Sequence, residues 1–245
     1  MAIDQALFES VQAGDRPVLR LYRWQPACLS FGRNQSARGI YDPDLARSRG
    51  IDIVRRPTGG LAVFHNHELT YTVAAQAATL GRPRAAYAAI NTALASGVAH
   101  MGATVTIAPH RPDRGPLVGA THPCFGHATV GEVTAGGRKL VGSAMRFENR
   151  TILQHGSILI DGDQSEVVSL QVRLPAGSMT LPPPITLREV LGRVPDWPEL
   201  FTAVLEGFTA MFGTTFEASR PTDAECGRAR DLEAHYRNEA WTWRM

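Results

Sequence analysis

The sequence predicts an α+β fold in which a mixed or antiparallel central sheet is flanked by helices. Three observations point there. Short apolar and β-branched runs cluster between residues 18 and 74 and again between 128 and 160. Helical periodicity is confined to the N-terminus, a central segment after Pro83 and the C-terminal third. The regular strand–helix alternation of a doubly wound sheet is missing, so helices are expected to cover one face of the sheet.

The elements follow in order. Met1 to Val11 mixes Asp4 and Glu9 with Ile3, Leu7 and Val11 at amphipathic helical spacing. Val18 to Tyr22 and Ala27 to Gly32 are strands around a Trp24-Gln25-Pro26 turn, and Asp42 to Arg49 is a short helix closed by Gly50. Ile51 to Arg55 returns as a strand. A break at Pro57-Thr58-Gly59-Gly60 precedes Leu61 to Phe64 and Glu68 to Ala74. Tyr87, Ile90, Leu94, Val98 and Met101 mark one face of a long helix from Pro83 to Gly102, a core-packing face.

Thr104 to Ala108 alternates as a strand, and a polar, turn-rich loop through His110, Pro112, Gly115, Pro116, Gly119 and Pro123 then carries Cys124. Three strands follow, Ala128 to Thr134, Lys139 to Arg146 and Ile152 to Ile160, with Gly136-Gly137 suited to the first turn. Pro182-Pro183-Pro184 is a rigid connector. Beyond it Leu200, Val204, Leu205, Phe208, Met211 and Phe212 outline an amphipathic helix, and Thr222 with Glu225 has capping-box spacing for a last one. The expectation is a single domain over residues 1–245, its helical portion at 180–245.

A chain of 245 residues buries a sizeable core, and 44% hydrophobic with 20% charged residues fits a globular protein. A net charge of +2 argues for neither nucleic acid nor a polybasic membrane patch. The N-terminus lacks a signal peptide's charged start and apolar run, and no stretch approaches a membrane span. Three widely spaced cysteines, Cys28, Cys124 and Cys226, imply free thiols and a cytoplasmic location.

Chemistry concentrates in three places. In Arg55-Arg56-Pro57-Thr58-Gly59-Gly60, continuing to His65, glycines let backbone N–H groups approach a ligand while arginines hold a carboxylate or phosphate. A tight hairpin with one arginine in solvent is the competing reading. Cys124 lies between His122 and His127, where nearby cations favour the thiolate that attacks a thioester carbonyl. An inert half-buried thiol competes with that. A metal site of His122, Cys124 and His127 ranks third, because no fourth ligand stands at customary spacing. The third cluster is Arg138-Lys139-Leu140-Val141-Gly142-Ser143-Ala144 with Gln154-His155-Gly156-Ser157. A strand lysine among apolar residues needs an acceptor if buried, and an acyl carbonyl or oxyanion would serve. His155 either orients a group or sits satisfied in the core, and a lone histidine favours the second. Cys28, in an apolar strand, and Cys226, on the last helix, are packing thiols.

Taken together, Arg55 to His65, Arg138 to Ala144 and Ile152 to Leu159 resemble the ordered motifs of the biotin/lipoate protein ligase catalytic family, along nearly the whole chain from Ala2 to Trp241. The resemblance implies that family's class II synthetase-like fold. Glu68-Leu69-Thr70-Tyr71-Thr72-Val73, where lipoate ligases typically carry a Gly-Asn-Leu-Asn type segment, is similar to the LipM-like octanoyltransferase branch, which also places its acyl-accepting cysteine where Cys124-Phe125 stands. Met145, where the branch often has Gln, and Pro123 depart from the pattern.

The resemblance implies transfer of octanoyl from octanoyl-acyl carrier protein, through a Cys124 thioester, to a lysine of a lipoyl carrier such as the glycine-cleavage H protein or an E2 lipoyl domain. Lys139 would act with Cys124, while Arg55, Arg56, Thr58, Gly59, Gly60, His65, Gly142, Ser143, Ala144, His155 and Gly156 would bind substrate. No cofactor, metal, nucleic acid or membrane partner is expected. The rival functions are an ATP-dependent lipoate or octanoate ligase and a noncatalytic subunit that binds the lipoyl domain.

Overall fold

A computed structural model describes residues 1–109, 124–126, 128–172 and 183–244. The chain opens with helix α1 (Ala2–Ala13), strands β1 (Val18–Tyr22) and β2 (Cys28–Phe31), helix α2 (Pro43–Ser48) and strands β3 (Asp52–Arg55), β4 (Val63–His65) and β5 (Glu68–Gln76). A short helix α3 (Ala77–Leu80) leads into the long α4 (Pro83–His100), started by proline, whose fixed φ suits a first helical turn. Strands β6 (Thr106–Ile107), β7 (Val133–Ala135), β8 (Arg138–Lys139), β9 (Val141–Glu148) and β10 (Thr151–Leu159) follow, with a 3₁₀ turn at Cys124–Gly126 between β6 and β7. Helices α5 (Glu166–Ser169), α6 (Leu187–Leu191), α7 (Trp197–Phe212), α8 (Asp223–Arg237) and α9 (Glu239–Thr242) complete the order.

The largest sheet runs β1-β5-β10-β9 with every pair antiparallel. A second sheet, β3-β2-β4, is mixed: β2 pairs parallel with β3 and antiparallel with β4. A small antiparallel sheet, β6-β7-β8, closes the molecule, with Gly136 and Gly137 at φ of 55° and 75° in the β7–β8 turn that side chains resist.

Helix cover differs from the one-sided expectation. Leu69, Tyr71, Val73 and Ala75 of β5 face Ile90, Leu94 and Val98 of α4 and Val204 and Phe208 of α7. On the other face Ala74 and Leu153 meet Phe8 and Val11 of α1. A second apolar face was hidden because it needs only the alternate residues of two strands. Each fully buried leucine, isoleucine, valine or phenylalanine among them contributes roughly 1.5–3 kcal/mol over leaving it in water. Two further differences are local: the expected strand from Lys139 breaks at Leu140, and the expected strand at Ala128 begins only at Val133. The expected loop from His110 to Pro123, together with His127 and Pro182, lies outside the described residues. Among the described residues no helix is long and apolar enough to cross a membrane.

Candidate active site

The site lies where the large sheet meets β4 and the Cys124 turn. Register places Gly156 opposite Ser143 and Ser157 opposite Gly142, so two glycines sit diagonally on adjacent strands. A β-carbon at Gly156 would fall 2.1 Å from the Gly142 carbonyl oxygen, and one at Gly142 would fall 2.8 Å from the Phe125 ring. With no room for a side chain at either glycine, β9, β10 and the Phe125 ring close up beside a cavity that both glycines line.

Of the sequence candidates, Arg56, His65, Cys124, Gly142, Ser143, Ala144, His155 and Gly156 line this cavity, with Ser30, Thr70 and Ser157 beside them. Cys124 is seated from both sides: its backbone N–H donates to the Ala62 carbonyl (2.9 Å), and the next side chain, Phe125, is buried against Val63 and Leu159.

Lys139 reaches Cys124 from β8. Its Nζ donates to the Cys124 carbonyl at 2.9 Å and to Sγ at 3.5 Å, and it pairs with Glu132 Oε1 at 2.9 Å. Burial works against the ammonium, but the neighbouring Cys124 and Glu132 outweigh it and hold its pKa above the ordinary lysine value. The acceptor that a buried strand lysine requires is thus supplied within the protein. Nothing next to Glu132 in the sequence marks it; its signal is an acidic residue entering a hairpin whose return strand carries the lysine.

The two arginines divide. Arg56 lines the cavity, yet its guanidinium is spent on the loop: it donates to Ser30 O and Oγ, Gly59 O and Leu61 O at 2.7–3.1 Å. Gly59 and Gly60 do not line the cavity. Arg55 is not brought to the cavity at all. It is fully buried, donating to carbonyls of Gly32 (2.5 Å), Gln35 (2.7 Å), Thr242 (3.0 Å) and Arg244 (3.1 Å), so it staples the C-terminal segment to β3. The expectation that it holds a substrate anion is corrected accordingly, since its donors point at backbone.

Both histidines are held in polar chains. His65 Nε2 meets Ser30 Oγ at 2.7 Å and Nδ1 meets Glu68 Oε1 at 2.6 Å, with Trp24 stacked on the ring at 4.5 Å. His155 Nε2 meets Thr58 Oγ1 at 2.5 Å, and its Nδ1 stands 3.7 Å from Asp4 Oδ2. Burial pushes the His155 pKa below the ordinary histidine value despite the opposing pull of Asp4. Thr58 supports His155 from behind and does not line the cavity. Asp4, buried and bonded to Arg20 (2.7 Å) and Tyr22 (2.9 Å), was visible only as an ordinary helical position.

Among the described residues no three His, Cys, Asp or Glu side chains are grouped to hold a metal ion. Of the alternative metal reading, His122 and His127 lie outside those residues.

With this geometry in place, comparison with known proteins is informative. A model of the "Lipoyl protein ligase A/B catalytic domain" family matches residues 1–209. The chain is 37% identical to octanoyltransferase LipM of Symbiobacterium thermophilum, covering 100% of this chain and 93% of the relative. It is 36% identical to octanoyltransferase LipM of Moorella thermoacetica, covering 98% and 92%. Among solved structures it superposes with a TM-score of 0.80 on a putative lipoate protein ligase from T. acidophilum with bound lipoic acid (23% identity, covering 100% of this chain and 92% of that one). It superposes equally, at 0.80, on lipoate-protein ligase A bound with ATP (24% identity, 99% and 92%). At those identities the superpositions establish the fold, and the full-length match to LipM relatives places this chain as a LipM-like member of the lipoyl protein ligase A/B catalytic-domain family.

Proposed function

We propose that this protein is an octanoyltransferase: it takes octanoyl from octanoyl-acyl carrier protein onto Cys124 and passes it to a lysine of a lipoyl-carrier domain, the whole chain acting as one catalytic unit. The observation that carries this reading is the buried Lys139 ammonium 3.5 Å from the Sγ of Cys124, which itself lines the cavity while Lys139 stands behind it. A cation fixed there stabilises negative charge on sulfur, which is the nucleophilic form. The octanoyltransferase names of the full-length relatives support the acyl group.

In the first half-reaction, the Cys124 thiolate attacks the donor's thioester carbonyl. The pantetheine carbon–sulfur bond breaks, and that thiol leaves with a proton from solvent. In the second, the carrier lysine's amine attacks the Cys124 thioester, an amide forms, and Cys124 departs as thiolate beside Lys139. The incoming thioester supplies the activation.

The test is Cys124→Ala and Cys124→Ser assayed for transfer from octanoyl-acyl carrier protein to an apo lipoyl domain. Loss of transfer is expected; transfer at the wild-type rate would eliminate the covalent step.

A further inference from the structure

The second half-reaction releases a proton, and Lys139 is badly placed to receive it. An ammonium has three donors and no acceptor, and those of Lys139 are engaged by Glu132 Oε1, Cys124 O and Cys124 Sγ. A protein acceptor for it would have to face the cavity, as Ser30 and His65 do.

We propose that Ser30, His65 and Glu68 form a proton relay that accepts the proton of the attacking carrier lysine, a role that rests on the Cys124 acyl-enzyme described above. Its geometry is a serine–histidine–carboxylate chain, with Ser30 Oγ 2.7 Å from His65 Nε2 and His65 Nδ1 2.6 Å from Glu68 Oε1. The neighbours fix the direction of each hydrogen. Glu68 Oε1 also accepts from Thr70 Oγ1 (2.7 Å) and Ser157 Oγ (2.8 Å), so the histidine proton belongs on Nδ1 and Nε2 is left as an acceptor. Arg56 Nη1 donates to Ser30 Oγ at 3.0 Å, which turns the serine's own hydrogen toward Nε2. Ser30 and His65 both line the cavity that holds Cys124.

The other histidine lacks this arrangement. Thr58, its hydroxyl partner, is outside the cavity lining, and its Nδ1 is 3.7 Å from Asp4 without a hydrogen-bond partner.

The proton balance closes. As the amine nitrogen bonds to the thioester carbonyl, its proton passes to Ser30 Oγ while the serine hydrogen moves to His65 Nε2. The resulting imidazolium is neutralised by Glu68, the carbon–sulfur bond breaks to release the Cys124 thiolate, and His65 later returns the proton to solvent. Ser30 is the group that touches the amine; His65 and Glu68 act through it.

Ser30→Ala and His65→Gln proteins are loaded with octanoyl-acyl carrier protein, and the loss of Cys124 mass adduct is timed with two acceptors. One is an apo lipoyl domain. The other is hydroxylamine, whose attacking nitrogen sheds its proton readily to water. The relay predicts that discharge to the lipoyl lysine falls about a hundredfold further than either loading or discharge to hydroxylamine. Equal losses in all three rates, including failure to load, would make the chain merely structural and overturn the relay. Wild-type protein that acquires no adduct would instead overturn the acyl-enzyme on which it rests.

Discussion

Glu132 and Lys139 form an ion pair 2.9 Å apart, with both side chains no more than 2% exposed. Removing one partner strands the other charge without water. Glu132→Gln should therefore lower unfolding free energy by about 3–5 kcal/mol, read by urea titration. A Glu132→Gln, Lys139→Met double variant should recover much of that stability while remaining slow in acyl transfer. Stability and activity would then separate in one residue pair.

Acid sensitivity should arise from the Asp4–His155 chain. Burial lowers the His155 pKa, so the unfolded chain takes up a proton that the folded one refuses as pH falls below the ordinary 6.5. For Asp4, burial opposes the charge, but His155, the N-terminus and Arg20 outweigh it and depress the pKa. Its contribution is complete above the ordinary 3.8 and is lost as pH falls from there through the folded value. Both slopes have the same sign. Urea midpoints should fall between pH 7 and pH 5, and His155→Asn should flatten that first decline.

Gly156→Ala forces a β-carbon to within 2.1 Å of the Gly142 carbonyl, so β9 and β10 must part at the cavity. We expect a loss of about 1–3 kcal/mol by thermal or urea unfolding. Octanoyl transfer should fall with it.

Arg55→Lys keeps the charge but replaces a five-donor fork with three donors. Carbonyls of Gly32, Gln35, Thr242 and Arg244 cannot all be satisfied. The variant should lose about 1–3 kcal/mol, and the C-terminal segment should become cleavable by protease before the rest of the chain.

How far the sequence revealed these features depended on the distance between partners. Strand β1 and the capping box of α8 follow from neighbouring residues, and their bounds agree with the sequence expectation. Helices α3 and α5, with four residues each, are too short for an apolar period to register. The cluster around Cys124 was legible as three motifs, but not its supports. Glu132 is recognised only once a hairpin turns it onto Lys139, and Ser30 only once β2 pairs with β4 and brings it to His65. The role of Arg55 is hidden for the same reason: its acceptors at Trp241, Thr242 and Arg244 lie at the other end of the chain.

The most direct test is the intact mass of the purified protein after incubation with octanoyl-acyl carrier protein in the absence of ATP, followed by digestion to locate the adduct. The account predicts one octanoyl group on Cys124, lost when an apo lipoyl domain is added. No adduct, with transfer from free octanoate appearing only on addition of ATP, would contradict it and identify a ligase.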